Sequence, residues 1–181
     1  WFGNYLPKNK NLKNLKLDIR EIEKVSLKKI NLIIHLASIS NDPMAEIDKN
    51  LSWETSVLGT ELLMRQAIKF KVKRIIYASS GSVYGIKKEK KVHEKLSLKP
   101  ISLYNKVKMS TERVILSYKD NIDVFILRPA TVCGFSPRMR LDVTVNVLTF
   151  NALKNKVIKV FGGSQIRPNV HIDDMVDAYI F

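Results

Sequence analysis

Val72-Lys73-Arg74-Ile75-Ile76-Tyr77-Ala78-Ser79-Ser80-Gly81-Ser82-Val83-Tyr84-Gly85 decides the fold. Its first half is a β-branched and aromatic run with the length of a buried strand, and its second half is a turn built from small residues. Open α/β sheets place their chemistry in the crevice beyond the carboxyl ends of their strands. A hydroxyl in this turn is therefore positioned to meet a substrate.

Outward from this stretch the pattern alternates between strand and helix, as in a doubly wound parallel sheet. Upstream, residues 15–19 and 31–36 read as short parallel strands, separated by a polar segment carrying Ile22, Val25 and Leu27. Residues 53–70 read as a helix and 74–78 as the next strand. Downstream come a charged loop over 85–100, a helix over 103–118, and a strand over 123–128 that stops at Pro129. A helix over 144–153 and a strand over 157–161, bounded by Gly162-Gly163, complete the reading. There is no internal repeat, and Lys87-Lys88-Glu89-Lys90-Lys91 is the one low-complexity tract.

On the helix over 103–118, Tyr104 and Lys108 are four residues apart and so share one face. A phenol titrates near ~10 in isolation. A fixed positive charge beside it favours phenolate and brings it toward useful basicity near neutral pH. Such a pair takes a proton from a substrate hydroxyl and returns it. Tyr-x-x-x-Lys alone is a weak motif; its strength here comes from the strand and serine-rich turn upstream.

In order along the chain stand Leu17-Asp18-Ile19-Arg20, His35-Leu36-Ala37-Ser38, Ser56-Val57-Leu58-Gly59-Thr60, Ser79 to Gly85, and Tyr104 to Lys108. Leu127-Arg128-Pro129 and Arg167-Pro168-Asn169-Val170-His171-Ile172-Asp173-Asp174 follow. Together they resemble the extended short-chain dehydrogenase/reductase family, specifically its NAD-dependent nucleotide-sugar epimerases and dehydratases. The resemblance runs over nearly the whole chain. It implies a Rossmann-like α/β fold, with residues 1–133 as the NAD-binding domain and 134–181 as part of a smaller substrate-binding region that includes a segment interleaved with the first domain.

The resemblance also implies roles. Ser80 stands where the family carries a catalytic Ser or Thr that orients the substrate oxygen toward Tyr104; Ser79 and Ser82 are its rivals. Lys108 would bond the nicotinamide ribose and lower the Tyr104 pKa, while Lys106 points away. Asp18 and Ile19 match the contact to adenine. Leu36, Ala37 and Ser38 would lie against the dinucleotide, and Pro129 would flank the nicotinamide. Ser56 occupies a cofactor position where relatives usually have Asn, a departure. Tyr84 would shape the substrate pocket, Thr131 replaces a frequent Asn that contacts the sugar nucleotide, and Arg167 would clamp the diphosphate with its guanidinium fork. Arg138 and Asn146 are lining or surface residues with equal standing. His35 reads as a packed strand residue. His171, Asp173 and Asp174 pack and hydrogen-bond a segment in the family, and no metal is expected.

Family dehydratases place an Asp-Glu pair directly after the catalytic Ser or Thr; Gly81-Ser82 stands here. Elimination of water has no evident catalyst without that pair, so the expected reaction is NAD-dependent epimerisation of a nucleotide-diphosphate sugar through a keto-sugar. A reductase, dehydrogenase or dehydratase of a nucleotide sugar is the alternative, with NADP in place of NAD not excluded. A dinucleotide-sensing binding protein is the non-enzyme alternative, and retention of both Tyr104 and Lys108 argues against it. Relatives commonly dimerise through the helices over 53–70 and 103–118, so a homodimer is expected.

The seven glycines never give the Gly-rich turn that cradles a pyrophosphate at a helix N-terminus. Trp1-Phe2-Gly3-Asn4 resembles the family segment just after its second strand, so the chain is expected to be a fragment lacking the first βαβ unit and cut at its end within a helix. The single Cys133 gives no internal disulfide. No apolar run reaches the length of a membrane span, and a cytoplasmic protein that binds no membrane is expected. Net charge of +14 raises the question of nucleic acid. The lysines are scattered over every element and no nucleic-acid motif is present, so the expectation is no nucleic acid, with the field aiding capture of anionic nucleotides.

Overall fold

A computed structural model describes residues 9–137 and 139–181. Trp1-Phe2-Gly3-Asn4 and Arg138 lie outside the described residues. The chain divides into two compact units, Lys16–Arg128 and a second made of Trp1–Leu15 with Pro129–Phe181.

In the first unit, β1 (Leu32–His35), β2 (Arg74–Ala78) and β3 (Asp123–Leu127) form a parallel sheet in that order. Ile75 faces Ile33 on one side and Val124 on the other. β2 is central, and its burial alternates where the sequence reading expects a wholly buried strand: Ile75 and Tyr77 are buried on the face that the helices cover, while Arg74 is exposed and Ile76 half-buried on the other. Ile75 and Tyr77 meet Leu63, Met64 and Ala67 from one helix and Ile115 from another, with Leu27, Val72 and Ile122 closing the core.

The helices start where their caps direct. Asn41 accepts from Met44 N at 2.8 Å to begin α1 (Asp42–Ile47), and Asp48 accepts from Leu51 N at 2.9 Å to begin α2 (Lys49–Trp53). The chain then passes through a π-helical turn, Glu54–Leu58, into α3 (Gly59–Lys69) without leaving helical geometry. Gly59 is required by packing, since a Cβ there would lie 2.8 Å from Ile19 Cγ2. α3 ends with Lys71 in the left-handed region (φ 56°), with Lys71 N bonding Ile68 O and Val72 N bonding Ala67 O. That paired closure satisfies the last carbonyls and delivers the chain to β2. Ser102 caps α4 (Leu103–Leu116) by accepting from Asn105 N at 3.2 Å.

The second unit pairs β4 (Thr131–Cys133) in parallel with β5 (Asn169–His171), and adds α5 (Thr144–Asn155) and α6 (Ile172–Ile180). No helix among the described residues is long and apolar enough to cross a membrane.

Two expected strands do not form. Residues 15–19 have no ladder partner among the described residues; Asp18 instead accepts from Arg20 N and caps a 3-10 turn over Ile19–Lys24. Residues 157–161 likewise pair with nothing described, and Val160 is 64% exposed. A β-rich run becomes a strand only when a neighbour takes its backbone groups. The helix α1 had no counterpart in the sequence reading, because its six residues carry too short a pattern.

Candidate active site

The sheet delivers the turn, and the turn is built by its own serines. Ser80 accepts from Ser82 N at 3.2 Å and caps the 3-10 turn Gly81–Tyr84. Ser80 Oγ lies 2.7 Å from Ser82 Oγ, and Ser82 donates to Asn105 Oδ1 at 2.5 Å. With the Ser82 proton committed to Asn105, Ser80 is the donor of the serine pair. The turn is thereby joined to the first turn of α4, beside Tyr104. Gly85 closes it at φ 68°, where a Cβ would come 2.1 Å from Lys99 O. Only glycine fits, and the loop after it returns through Lys99 N to Val83 O at 3.1 Å.

Tyr104 and Lys108 stand together on α4. Lys108 Nζ lies 5.8 Å from the Tyr104 ring centroid and 5.0 Å from that of Tyr77, and donates to Ala78 O at 2.7 Å. The amine is fixed two residues before Ser80. Burial pulls the Lys108 pKa down to about 8, and the Glu112 carboxylate opposes the fall. Lys106 is exposed. His35, buried at the end of β1, bonds Thr60 Oγ1 at 2.8 Å; burial first, then the Lys108 charge, push its pKa down to about 4, so it is neutral at pH 7.

The positions expected to hold a dinucleotide divide. Leu36 and Ala37 follow β1 and are exposed, and Ser38 Oγ lies 3.1 Å from Ser56 Oγ in the π-helical turn. Ala37 and Ser38 are small, which suits close approach of a flat ligand to this backbone, whereas Leu36 is not. Asp18 is held by Arg20 through Nε (3.1 Å) and Nη2 (2.9 Å), and the side-chain bond from Arg20 lowers its pKa. Ile19 packs on the apolar core instead of presenting its side chain outward. Tyr84 is buried, with its hydroxyl accepting from Arg128 Nη1 at 2.9 Å.

The remaining expected residues belong to the second unit. Pro129 precedes β4, and Thr131 lies in it, its N–H bonded to Pro168 O at 3.3 Å. Asn146 is buried and holds a loop: Oδ1 accepts from Gly134 N at 3.1 Å and Nδ2 donates to Arg140 O at 2.8 Å. Arg167 is exposed, and its carbonyl accepts from Asn169 at 3.1 Å. His171 accepts from Asp173 N at 3.3 Å and caps α6.

This arrangement, a parallel sheet with a serine turn beyond a central strand and a Tyr–Lys pair on the next helix, has relatives. Residues 5–181 match the model of the NAD dependent epimerase/dehydratase family. The chain belongs to this family. Among family members it is 29% identical over 172 residues to an uncharacterized protein, y4nG, of Sinorhizobium fredii, covering 93% of this chain and 41% of that protein. It is 29% identical over 194 residues to a UDP-glucuronate 4-epimerase of Thermodesulfobacterium geofontis, covering 99% of this chain and 57% of that one. The UDP-glucuronic acid 4-epimerase of Bacillus cereus, solved with UDP-glucuronic acid and NAD, superposes with a TM-score of 0.75 at 30% identity over 91% of this chain and 51% of its own. The chain thus spans about half the length of the relatives it matches, and its Rossmann-like α/β fold with parallel sheets is theirs.

Two residues at this site, Glu112 and Arg128, were given no role in the sequence reading. Glu112 is buried and accepts from Ser79 Oγ and from Arg128 through Nε at 2.9 Å and Nη2 at 2.7 Å. Its one trace in the sequence is its spacing, four residues beyond Lys108 and eight beyond Tyr104.

Proposed function

We propose that the whole protein epimerises a nucleotide-diphosphate sugar by transient oxidation to a keto-sugar, using NAD and the residues Ser80, Tyr104 and Lys108. One observation carries the reading: Lys108 is buried with its amine over the Tyr104 ring and anchored to the strand end that leads into Ser80. NAD, held beside Ser38, Ser56 and Lys108, would supply a reversible hydride acceptor, and the keto-sugar must turn in the site so that hydride returns to its other face. Tyr104 takes the proton of the sugar hydroxyl and returns it, and the Lys108 ammonium, still mostly protonated at pH 7 with a pKa of about 8, favours the phenolate. Ser80 orients the substrate oxygen toward Tyr104 by exchanging its bond to Ser82 for one to the substrate.

Epimerisation is preferred over dehydration because Gly81-Ser82 follows Ser80, and neither residue is an acid or a base for elimination. The sugar nucleotides bound by the relatives support the substrate class. In this reading residues 1–133 serve the dinucleotide, with Asp18, Ile19, Leu36, Ala37, Ser38, Ser56 and Pro129 near it. Residues 134–181 serve the substrate together with Tyr84 and Thr131, Arg167 binding the diphosphate and Arg138 and Asn146 lining or supporting the site. A cytoplasmic homodimer belongs to the same reading. Trp53, Val57, Leu58 and Val114 line an open apolar cavity of about 410 Å³ on the faces of α2, the π-helical turn and α4 where pairing is expected.

The test incubates the whole protein with UDP-, GDP-, CDP- and dTDP-hexoses and identifies products by mass and NMR. The expected product has unchanged mass and one inverted carbinol centre. Loss of water would replace epimerase by dehydratase. A two-electron mass change with consumption of added cofactor would make it a reductase or dehydrogenase.

A further inference from the structure

Two buried polar groups that the proposed triad leaves unused, the Ser79 hydroxyl and the Tyr84 hydroxyl, meet at one ion pair. Tyr104, Lys108 and Glu112 form a single column on α4, the face that meets the end of β2. Lys108 takes the carbonyl of Ala78, and one rung along Glu112 takes the hydroxyl of the next residue, Ser79. Arg128, just past β3, closes on the other side of Glu112 as a fork, with its remaining nitrogen on the Tyr84 hydroxyl and its guanidinium 5.1 Å from the Tyr84 ring centroid. Ser79 and Tyr84 stand at the two ends of the turn that Ser80 caps. One ion pair therefore grips that turn from both sides.

Its burial makes a purely stabilising role unconvincing. The side chains are 1% exposed for Glu112 and 18% for Arg128. Desolvating two charges costs several kcal/mol per ion, and well-packed apolar replacements of such pairs are often neutral or stabilising. What apolar residues cannot supply is direction and charge.

We propose that Glu112 is a positioning residue: with Arg128 it fixes the turn carrying Ser80, and its carboxylate holds the positive charge of Lys108 in place beside Tyr104. The role rests on the reading of Tyr104 and Lys108 as the reacting pair. The groups facing Lys108 bear it out. On its own helix these are Tyr104 and Glu112; from β2 comes the Tyr77 ring; from β1 comes His35, neutral at pH 7; and Arg128 reaches the site through Glu112. Glu112 is the group that raises the Lys108 pKa against burial.

Two substitutions move Lys108 in opposite directions, which a merely structural role does not do. Lys108 is followed by NMR in the whole protein labelled at lysine Cε, its signal assigned by loss in Lys108→Arg. Glu112→Gln removes the anion and keeps the size, so the Lys108 midpoint falls below about 8. Arg128→Gln removes the cation and leaves the carboxylate, so the midpoint rises. Should either variant fail to fold by circular dichroism, Glu112→Leu/Arg128→Leu takes its place, with a folded chain and a lowered midpoint expected. Midpoints equal to wild type, or shifted the same way by both single variants, overturn the proposal; so does an apolar double variant that cannot fold, which would make the pair structural. In the whole protein the alkaline limb of the pH–rate profile moves to lower pH in Glu112→Gln. A wild-type protein inactive on every nucleotide sugar refutes the function above, while the lysine titration still judges Glu112.

Discussion

α4 crosses two interiors that are equally closed to solvent and differently made. At one end Ile115 is fully buried among Leu63, Met64, Ile75 and Ile122, an apolar core held by undirected packing. Toward the other end Lys108 and Glu112 are as well buried, among His35, Thr60 and Ser79 at the carboxyl ends of the strands. Every polar link described in that second interior is directed. The first lowers the free energy of the fold, about 25 cal/mol for each Å² of apolar surface removed from water. The second gives up part of that gain to place titratable groups where burial pulls the pKa values of Lys108 and His35 down, as expected where acid–base chemistry is placed.

Four measurements break or sharpen this contrast, and the largest effect belongs to the polar interior. Tyr104→Phe in the whole protein should lower turnover about 10²- to 10⁴-fold, while the urea midpoint of unfolding stays within error of wild type. Near wild-type turnover removes Tyr104 from the chemistry. Ile115→Ala should do the reverse, costing about 2–5 kcal/mol in denaturant unfolding and leaving the Lys108 titration where it was. If the titration moved with it, the two interiors would be one mechanical unit.

The third measurement is the acid stability profile. His35 has a folded pKa of about 4 against an unfolded value near 6.5, so the unfolded state binds more protons between those values and stability falls as pH drops through the window. The loss should approach roughly 3 kcal/mol by pH 4, and His35→Gln should flatten it. An unchanged slope in that variant would assign acid sensitivity elsewhere. The smallest effect is Ser102→Ala at the start of α4. Losing the cap bond to Asn105 N should cost about 1 kcal/mol by thermal or urea unfolding. A larger cost, accompanied by lost activity, would mean that the cap also orients Tyr104.

Much of the fold was legible because its signals are local. β2 forms over 74–78 as expected, since Arg74 to Ala78 is a β-branched run ending in small residues; β3 and α4 agree within two residues of expectation. Residues 157–161 had β-like composition and residues 15–19 an apolar–polar alternation, and neither has a partner among the described residues, which a local pattern could not report. Of the candidate site, Tyr104 and Lys108 were readable because four residues on a helix make neighbours. Ser80 could be ranked against Ser79 and Ser82 only by resemblance. In the structure Ser79 is committed to Glu112 and Ser82 to Asn105, a distinction made by partners 33 and 23 residues away.

The amino-acid sequence by itself determined the alternation of strand and helix, the serine turn beyond a buried strand, and the shared face of Tyr104 and Lys108. These follow from side-chain period and backbone preference over a few residues. Tertiary structure alone decided that burial pulls the Lys108 and His35 pKa values down, and that Arg128 reaches back across 16 residues to Glu112. Desolvation and charge pairing act through space, on distances that no spacing along a chain records.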